Sequence, residues 1–228
     1  MNFKTFLLST CLVAALLNAA IGQTNSAGQT MPSIQMKNVP LTFAIDAVAR
    51  QVGINYIIDP KLSVGVGETI LDPSGKPVPS PVITFHWENI SANEALNRLL
   101  KKYGLVMVTD PVTSVARISY PNRPAAPVDA SLLNNATNTV LPLIEFADVP
   151  INVTLDNLIQ QAGINVALDP KLSNPFNSAA QTVIQLPTVS FRWQNMTAKQ
   201  VIIAICENYN LAIVKDPATS ALQIKPNK

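Results

Sequence analysis

With 228 residues, a formal net charge of +2 and only 13% charged residues, the chain has no broad electrostatic field that would attract nucleic acid or anionic lipid. Its content of 48% hydrophobic residues is typical of a compact globular protein that associates through apolar or backbone surfaces. We therefore expect no nucleic-acid partner.

The N-terminus has the pattern of a secretory signal peptide. Lys4 is followed by an uncharged, mostly apolar run up to Ile21, which is short and rich in small residues for a membrane span. Cleavage after Gly22 would remove residues 1–22 and leave a mature chain without a transmembrane segment; an uncleaved N-terminal anchor is the alternative. That mature chain would keep Cys206 as its one cysteine, so it could form no internal disulfide.

An eleven-residue phrase occurs twice, at residues 53–63 and again at residues 163–173. Both copies consist of Gly-Ile-Asn, a short apolar run and Asp-Pro-Lys-Leu-Ser. Such a series is typical of a helix end, a buried strand and a turn. The chain is therefore predicted to contain a duplicated module, in which the phrase marks the same point of each copy.

The duplication divides the chain into two small domains. The polar residues 23–33 are predicted to form a flexible lead-in, and residues 34–121 and 142–226 to form the domains. Residues 122–141 contain Pro, Ala and Asn without a sustained period, which indicates a linker whose prolines would space the domains. A domain of roughly 80 residues buries only about 60% of its unfolded surface. Each domain is therefore expected to gain part of its stability from contact with its neighbour.

Each domain begins with the same series of elements. A short alternating segment, residues 34–37 and 144–147, is followed by Val-Pro and by apolar residues at helical spacing. The helix ends at the glycine that opens the repeated phrase, and a buried strand follows at once. Beyond the phrase the copies diverge in length and composition at residues 64–81 and 174–187, which predicts surface loops.

The second half of each domain is predicted to contain a strand, a second helix and two closing strands. The strand reads Phe-His-Trp or Phe-Arg-Trp, and the helix has a capping-box pattern at its start in both copies. The capping pairs are Ser91 with Glu94, and Thr197 with Gln200. An Asp-Pro turn joins the closing strands. These strands are residues 105–109 and 116–119, and residues 211–215 and 222–225.

The duplication also tests candidate chemistry, because a catalytic residue shared by both domains should recur. His86 is the only histidine, its counterpart is Arg192, and on the outward face of a strand it is expected to be solvated. No second histidine exists to complete a metal site with it. Cys206 aligns with Leu100 on an apolar helix face, which favours a buried, inert thiol over a nucleophile.

Three aspartate pairs and one tryptophan pair do recur. They are Asp46 with Asp156, Asp59 with Asp169, Asp110 with Asp216, and Trp87 with Trp193. The Asp-Pro aspartates fall in turns, where Asp commonly accepts hydrogen bonds from nearby backbone, and the helical pair is most simply exposed or capping. A hydrolase that uses these carboxylates is the alternative. Each tryptophan could stack a sugar or a peptide, but at an inward strand position beside a phenylalanine it is predicted to be core.

The sequence contains no phosphate-binding loop, no GxSxG elbow and no cluster of metal ligands. We therefore predict that the protein is not an enzyme and has no catalytic residue, no metal site and no cofactor.

Five short motifs follow one another in the first domain, and the second domain repeats their order. They are Val39-Pro40-Leu41, Gly53-Ile54-Asn55, Asn89-Ile90-Ser91, Glu94-Ala95-Leu96 and Tyr103-Gly104-Leu105. This order resembles the secretin and TonB short N-terminal domain over residues 34–120 and 144–226. The resemblance implies an α+β fold, approximately βαββαββ, in which two helices pack between a two-stranded and a three-stranded sheet. It also implies a periplasmic protein that docks other envelope proteins. No secretin or receptor barrel follows the second copy in this sequence, so a pore function is not carried over.

Together, the residues and the resemblance predict a non-enzymatic interaction module of a secretion or envelope assembly. The expected partner is a protein of the cell envelope, such as a secretin, a transporter or a pilus-type component, and exposed sheet edges could pair with it. The expected location is the periplasm, where a partner could hold the protein at the outer membrane. The alternative is a periplasmic protein that binds a small ligand or a glycan through the loops at residues 64–81 and 174–187.

Overall fold

The computed structural model describes most of the chain beyond the predicted signal peptide. The described residues are 30–62, 69–71, 76–79, 81–122, 125–173, 176–177, 182–183, 186–216 and 220–227. The predicted signal peptide, most of the predicted lead-in and much of both predicted surface loops lie outside these residues. No helix in the described part of the chain is long and apolar enough to cross a membrane.

Domain one contains two main sheets, a small two-stranded hairpin and two helices among its described residues. Its elements are β1 (Thr30–Pro40), α1 (Leu41–Val52), β2 (Tyr56–Ile58), β3 (Thr69–Leu71), β4 (Pro77–Pro79), β5 (Val82–Ser91), α2 (Ala92–Lys102), β6 (Val106–Thr109) and β7 (Ala116–Ser119). β1 pairs antiparallel with β5, and β7 lies between β2, its parallel neighbour, and β6, its antiparallel neighbour. Side chains of both helices and both sheets form one buried core. β3 and β4 form a small hairpin within the predicted loop.

Domain two repeats this topology. Its elements are β8 (Val140–Pro150), α3 (Ile151–Ala162), β9 (Val166–Leu168), α4 (Pro170–Ser173), β10 (Phe176–Asn177), β11 (Thr182–Val183), β12 (Thr188–Thr197), α5 (Ala198–Asn208), β13 (Leu211–Lys215) and β14 (Leu222–Pro226). β8 pairs with β12, and β14 lies between β9 and β13. The predicted α+β fold of two small domains, each with a two-stranded and a three-stranded sheet, is confirmed.

The helix ends follow the local sequence. Gly53 and Gly163 close α1 and α3 with φ of 75° and 64°, a left-handed conformation that glycine adopts without steric cost. α5 has the full predicted capping box. In α2 the box is half formed: Ser91 accepts from the Glu94 amide, but the Glu94 carboxylate pairs with Arg98 one turn further on. A charged partner within reach therefore replaces the return bond to the backbone.

The first strand of each domain is longer than the sequence pattern predicted. β1 and β8 each have 11 residues, and β1 starts at Thr30, inside the predicted lead-in. Both strands contain a residue with positive φ, Asn38 at 54° and Asp148 at 53°, at a shift in the pairing register. A bulge reverses the inward and outward alternation beyond it, so the sequence pattern predicted strand only up to residues 37 and 147.

The linker packs against domain two and is not a simple spacer. A short 3₁₀ helix, Ala130–Leu133, places Leu133 in the core of domain two at 1% exposure. The Thr137 amide donates to the carbonyl of Ala162 at 2.8 Å, and the Ala126 amide donates to that of Glu207 at 3.1 Å. The prolines favoured the spacer interpretation, but the apolar residues after them have surface to bury on the adjacent domain.

Candidate functional site

The two domains contact each other through different faces. We call the surface of β2 and β7, and the equivalent surface of β9 and β14, the sheet face of each domain. The strand-helix face is the surface of β5 with the C-terminal half of α2, or of β12 with the C-terminal half of α5. In the junction, the strand-helix face of domain two covers the sheet face of domain one.

Asn55 and Trp193 supply a close set of hydrogen bonds across the junction. The Asn55 amide donates to the carbonyl of Gln194 and accepts from its N–H, both at 2.8 Å. The Trp193 indole N–H donates to the carbonyl of Tyr56 at 2.5 Å. The paired contact from one side-chain amide to one peptide group fixes the register of β12 against β2, as a strand pair would.

A buried ion pair lies beside these contacts. Arg117 donates to the Asp59 carboxylate at 3.0 Å and to the side-chain oxygen of Asn208 at 3.0 Å, and Asn208 donates in turn to the carbonyl of Ile58 at 3.0 Å. The side chains of Arg117 and Asp59 are 11% and 2% exposed. Asp59 also accepts from the Lys61 amide at 2.8 Å, as its turn position predicted. The carboxylate therefore has a second role, at the junction, that the turn pattern did not indicate.

Apolar side chains complete the junction. Ile57 and Val115 of domain one belong to the buried cluster of domain two, together with Trp193, which is 0% exposed. The domains thus share one core where they meet. Burial of this apolar surface stabilises the contact between the two domains.

A second network joins α1 to domain two. Asp46 accepts from the Tyr56 hydroxyl and, at 2.8 Å, from Arg50, which lies 3.7 Å from Glu145. Burial and the hydrogen bond to Asp46 raise the pKa of Tyr56. Asp46 was expected to be exposed or capping; it binds two side chains instead. Its domain-two counterpart, Asp156, is exposed.

The remaining candidate residues are exposed, buried or bonded within a turn, as the sequence predicted. His86 is exposed and lies 3.0 Å from Glu88, and Cys206 is fully buried, with burial raising the pKa of its thiol. Asp110 accepts from two amides of its own turn, as predicted. The described residues contain no group of three or more His, Cys, Asp or Glu side chains that could hold a metal ion.

The two recurring tryptophans differ in burial. Trp193 stacks on Phe191 at 3.9 Å between ring centroids, and Trp87 stacks on Phe85 at 4.1 Å. Trp193 is core, as predicted, but Trp87 is only half-buried. Trp87 packs against the core of domain one at its edge, and no domain in the described part of the chain covers the strand-helix face there.

A pocket of about 480 Å³ opens at the junction. Its walls come from the three-stranded sheet and hairpin turn of domain one, the start of the linker and α5. They are mainly apolar, with Arg117 and Glu207 as the charged groups near the second domain. Burial, and then the charge of Asp110, raise the pKa of Glu207 to about 7, against the opposing effect of Arg117. The pocket could admit a small apolar molecule, and it lies outside the predicted loops.

In the wild type, we expect the free energy of unfolding to fall as the pH rises, because of Glu207. Glu207→Gln should remove this dependence. The carboxyl is protonated in both states below its usual pKa of 4.5, and only in the folded state between there and about 7. The free energy of unfolding therefore falls across this window, by an amount that solvent screening of the half-buried group limits to roughly 1 kcal/mol. Urea unfolding at pH 5 and pH 8 measures this. Asp156→Asn, at an exposed carboxylate on α3, is the control; an unchanged slope in Glu207→Gln would contradict the expectation.

Comparison with known proteins gives little beyond these observations. No family model matches the chain, and no curated protein matches it. Among solved structures, it is similar to the 43 kDa tail protein of prophage MuSo2 from Shewanella oneidensis, at 16% identity and a TM-score of 0.24. The similarity covers 50% of this chain and 29% of that protein. The chain thus spans less than a third of the length of the tail protein.

Proposed function

We propose that the protein is a non-enzymatic, periplasmic interaction module of a secretion or envelope assembly, and that it docks a partner protein through the strand-helix face of domain one. One observation carries this proposal. The equivalent face of domain two already docks a folded protein surface, namely domain one, whereas in domain one this face is covered by no other domain among the described residues.

The difference between the two copies is systematic. Trp193 and Asn208 of domain two are 0% and 1% exposed. Their counterparts in domain one, Trp87 and Lys102, are half-buried and exposed. Ala204 is buried, and its counterpart, Arg98, is exposed. The same fold therefore presents the same site twice, once occupied and once free.

The composition of the free face favours an acidic partner surface. The stacked, half-buried Phe85 and Trp87 rings form an apolar centre. Arg98, Lys101 and Lys102 are exposed on the adjoining end of α2. Trp and Arg are over-represented among the residues that contribute most to protein interfaces, and surrounding charges select the partner.

The signal-like N-terminus and the resemblance to the secretin and TonB short N-terminal domain support an envelope location and a docking role. Neither depends on catalytic groups. The candidate carboxylates also fit a structural role, because Asp59 and Asp110 bind turn amides or a neighbouring arginine.

Site-specific crosslinking tests the proposal. A photo-crosslinking amino acid at position 102 is expected to capture a component of a secretion or envelope assembly in intact cells. The same group at position 37 is the control, because Lys37 is exposed on β1 and its counterpart, Ala147, stays exposed beside the covered face of domain two. Equal crosslinking from both positions, or capture of no envelope component from position 102, would count against the proposal.

A further inference from the structure

We infer that the strand-helix face of domain one binds the sheet face of domain two in a second copy of the chain, so that copies associate head to tail. The inference rests on the proposed function in one respect, that this face of domain one docks a protein. It names the partner surface. The contact would repeat, between molecules, the junction that joins the two domains within one molecule.

No domain covers either of the two faces needed for this contact in the part of the chain that the structure describes. On the sheet face of domain one, Ile57 and Asp59 are 3% and 1% exposed beneath domain two. Their counterparts on domain two, Ala167 and Asp169, are exposed and half-buried. Each chain thus has one junction between its own domains, and it also presents one free strand-helix face, on domain one, and one free sheet face, on domain two.

The groups that form the hydrogen bonds of the junction recur on the uncovered faces. Asn165 is the counterpart of Asn55, and its side chain is exposed and has no hydrogen-bond partner among the described residues. Trp87 is the counterpart of Trp193. In the docked arrangement the Trp87 indole would donate to the carbonyl of Val166, and Asn165 would exchange two hydrogen bonds with the peptide of Glu88. Backbone groups supply the other half of each bond, so the differences in sequence between the copies leave this part of the contact intact.

The charges at the centre of the contact are also complementary, although the cation lies on the sheet face within one chain and on the strand-helix face between chains. Within one chain the cation, Arg117, lies on the sheet face beside Asp59 and faces an asparagine. Between chains the corresponding residue of the sheet face is Gln223, and the cation, Lys102, lies on the strand-helix face opposite Asp169. Each arrangement contains one cation, one carboxylate and one amide side chain.

At a second pair of positions, the charges are complementary between chains but alike within one chain. In the junction, Glu207 lies near the like charge of Asp110, which contributes to the raised pKa of its carboxyl. The corresponding positions between chains hold Lys101 and Asp216, which carry opposite charges. Electrostatic complementarity of this kind favours association and fixes orientation.

The volumes of the side chains compensate as well. In the junction the small Ala204 lines the same pocket, and belongs to the same buried cluster, as a wall that contains Ile57 and Val115. Between chains a large side chain, Arg98, would meet two small ones, whose positions correspond to that wall. The two small residues are Ala167 and Ala221. A change of size on one face is therefore matched by the opposite change on the other.

Because the two faces differ, the contact is heterologous. Such a contact does not close at a two-fold dimer and continues into a ring or an open chain. We expect the mass of the mature protein in sedimentation velocity to rise with concentration beyond that of a dimer.

A pair of substitutions tests the contact. Lys102→Asn removes the cation opposite Asp169, and Gln223→Arg brings a second cation close to Lys102, so each alone should weaken association at least about tenfold. Combined in one chain, they recreate the arginine, asparagine and carboxylate of the junction and should restore association. Asn165→Ala should abolish association, whereas Lys37→Glu, outside both faces, should leave it unchanged; circular dichroism checks that each variant is folded.

A wild-type protein that remains monomeric throughout the concentration series would overturn the inference, as would single variants that associate normally or a double variant that fails to recover. Failure of the inference is distinguishable from failure of the proposed function. If Asn165→Ala abolishes self-association while position 102 still crosslinks an envelope protein, both stand. If self-association is absent and that crosslink persists, the inference falls and the docking function remains.

Discussion

Replacing Trp193 with alanine is expected to lower the free energy of unfolding by about 3–5 kcal/mol, the usual cost of removing a fully buried aromatic side chain. Trp193 is 0% exposed, stacks on Phe191 and donates its indole N–H to the carbonyl of Tyr56 in the other domain. The substitution therefore removes core packing from domain two and contact from the junction at once.

The chain supplies its own matched control for this prediction. Trp87 has the same stacked neighbour type and the same position in the fold, but it is half-buried, so Trp87→Ala should cost no more than about half as much. Guanidinium unfolding followed by far-ultraviolet circular dichroism measures both. The two should also differ in cooperativity: Trp193→Ala is expected to separate one transition into two, because the domains then unfold independently. Equal losses and a single transition in both variants would be inconsistent with the junction.

The duplication made the fold of each domain predictable. A glycine after a helical period, an apolar run and an Asp-Pro turn recur in one order, and local propensities of this kind act within a few residues. The β-bulges at Asn38 and Asp148 depend on residues far away in the sequence, since the backbone N–H of each donates to a hydroxyl of the adjacent strand only after the strands pair. That is why the parts of β1 and β8 beyond the bulges, up to Pro40 and Pro150, were not predicted.

The faces through which the domains dock were not predicted, although α5 contained a signal for them. Its residues 201–206 read Val-Ile-Ile-Ala-Ile-Cys and are all buried, whereas α2 has charged residues on one side, including Arg98 and Lys102. A helix that is apolar all round is typically buried on every side. Reading the copies for what differs, and not only for what recurs, would have indicated that domain two has a covered face that domain one leaves open.

Replacing Arg117 with methionine is expected to cost about 3–5 kcal/mol, because it leaves the Asp59 carboxylate buried without its cation. Methionine retains much of the volume, so the loss reports mainly on the charge. Adding Asp59→Asn should recover a large part of the stability, since the amide oxygen can still accept from the Lys61 amide and no charge remains buried.

The counterpart position again separates a specific effect from a general one. Gln223 occupies the place of Arg117 on the sheet face of domain two, where no domain is docked in the described part of the chain and the neighbouring Asp169 is only half-buried. Gln223→Met should therefore change the free energy of unfolding by no more than about 0.5 kcal/mol. Urea unfolding of the wild type, Arg117→Met, Asp59→Asn and the double variant completes a double-mutant cycle. Gln223→Met is the control outside the cycle. A loss in Arg117→Met that Asp59→Asn fails to reduce would show that the arginine stabilises the protein by packing alone, and the buried ion pair would then contribute nothing to holding the two domains together.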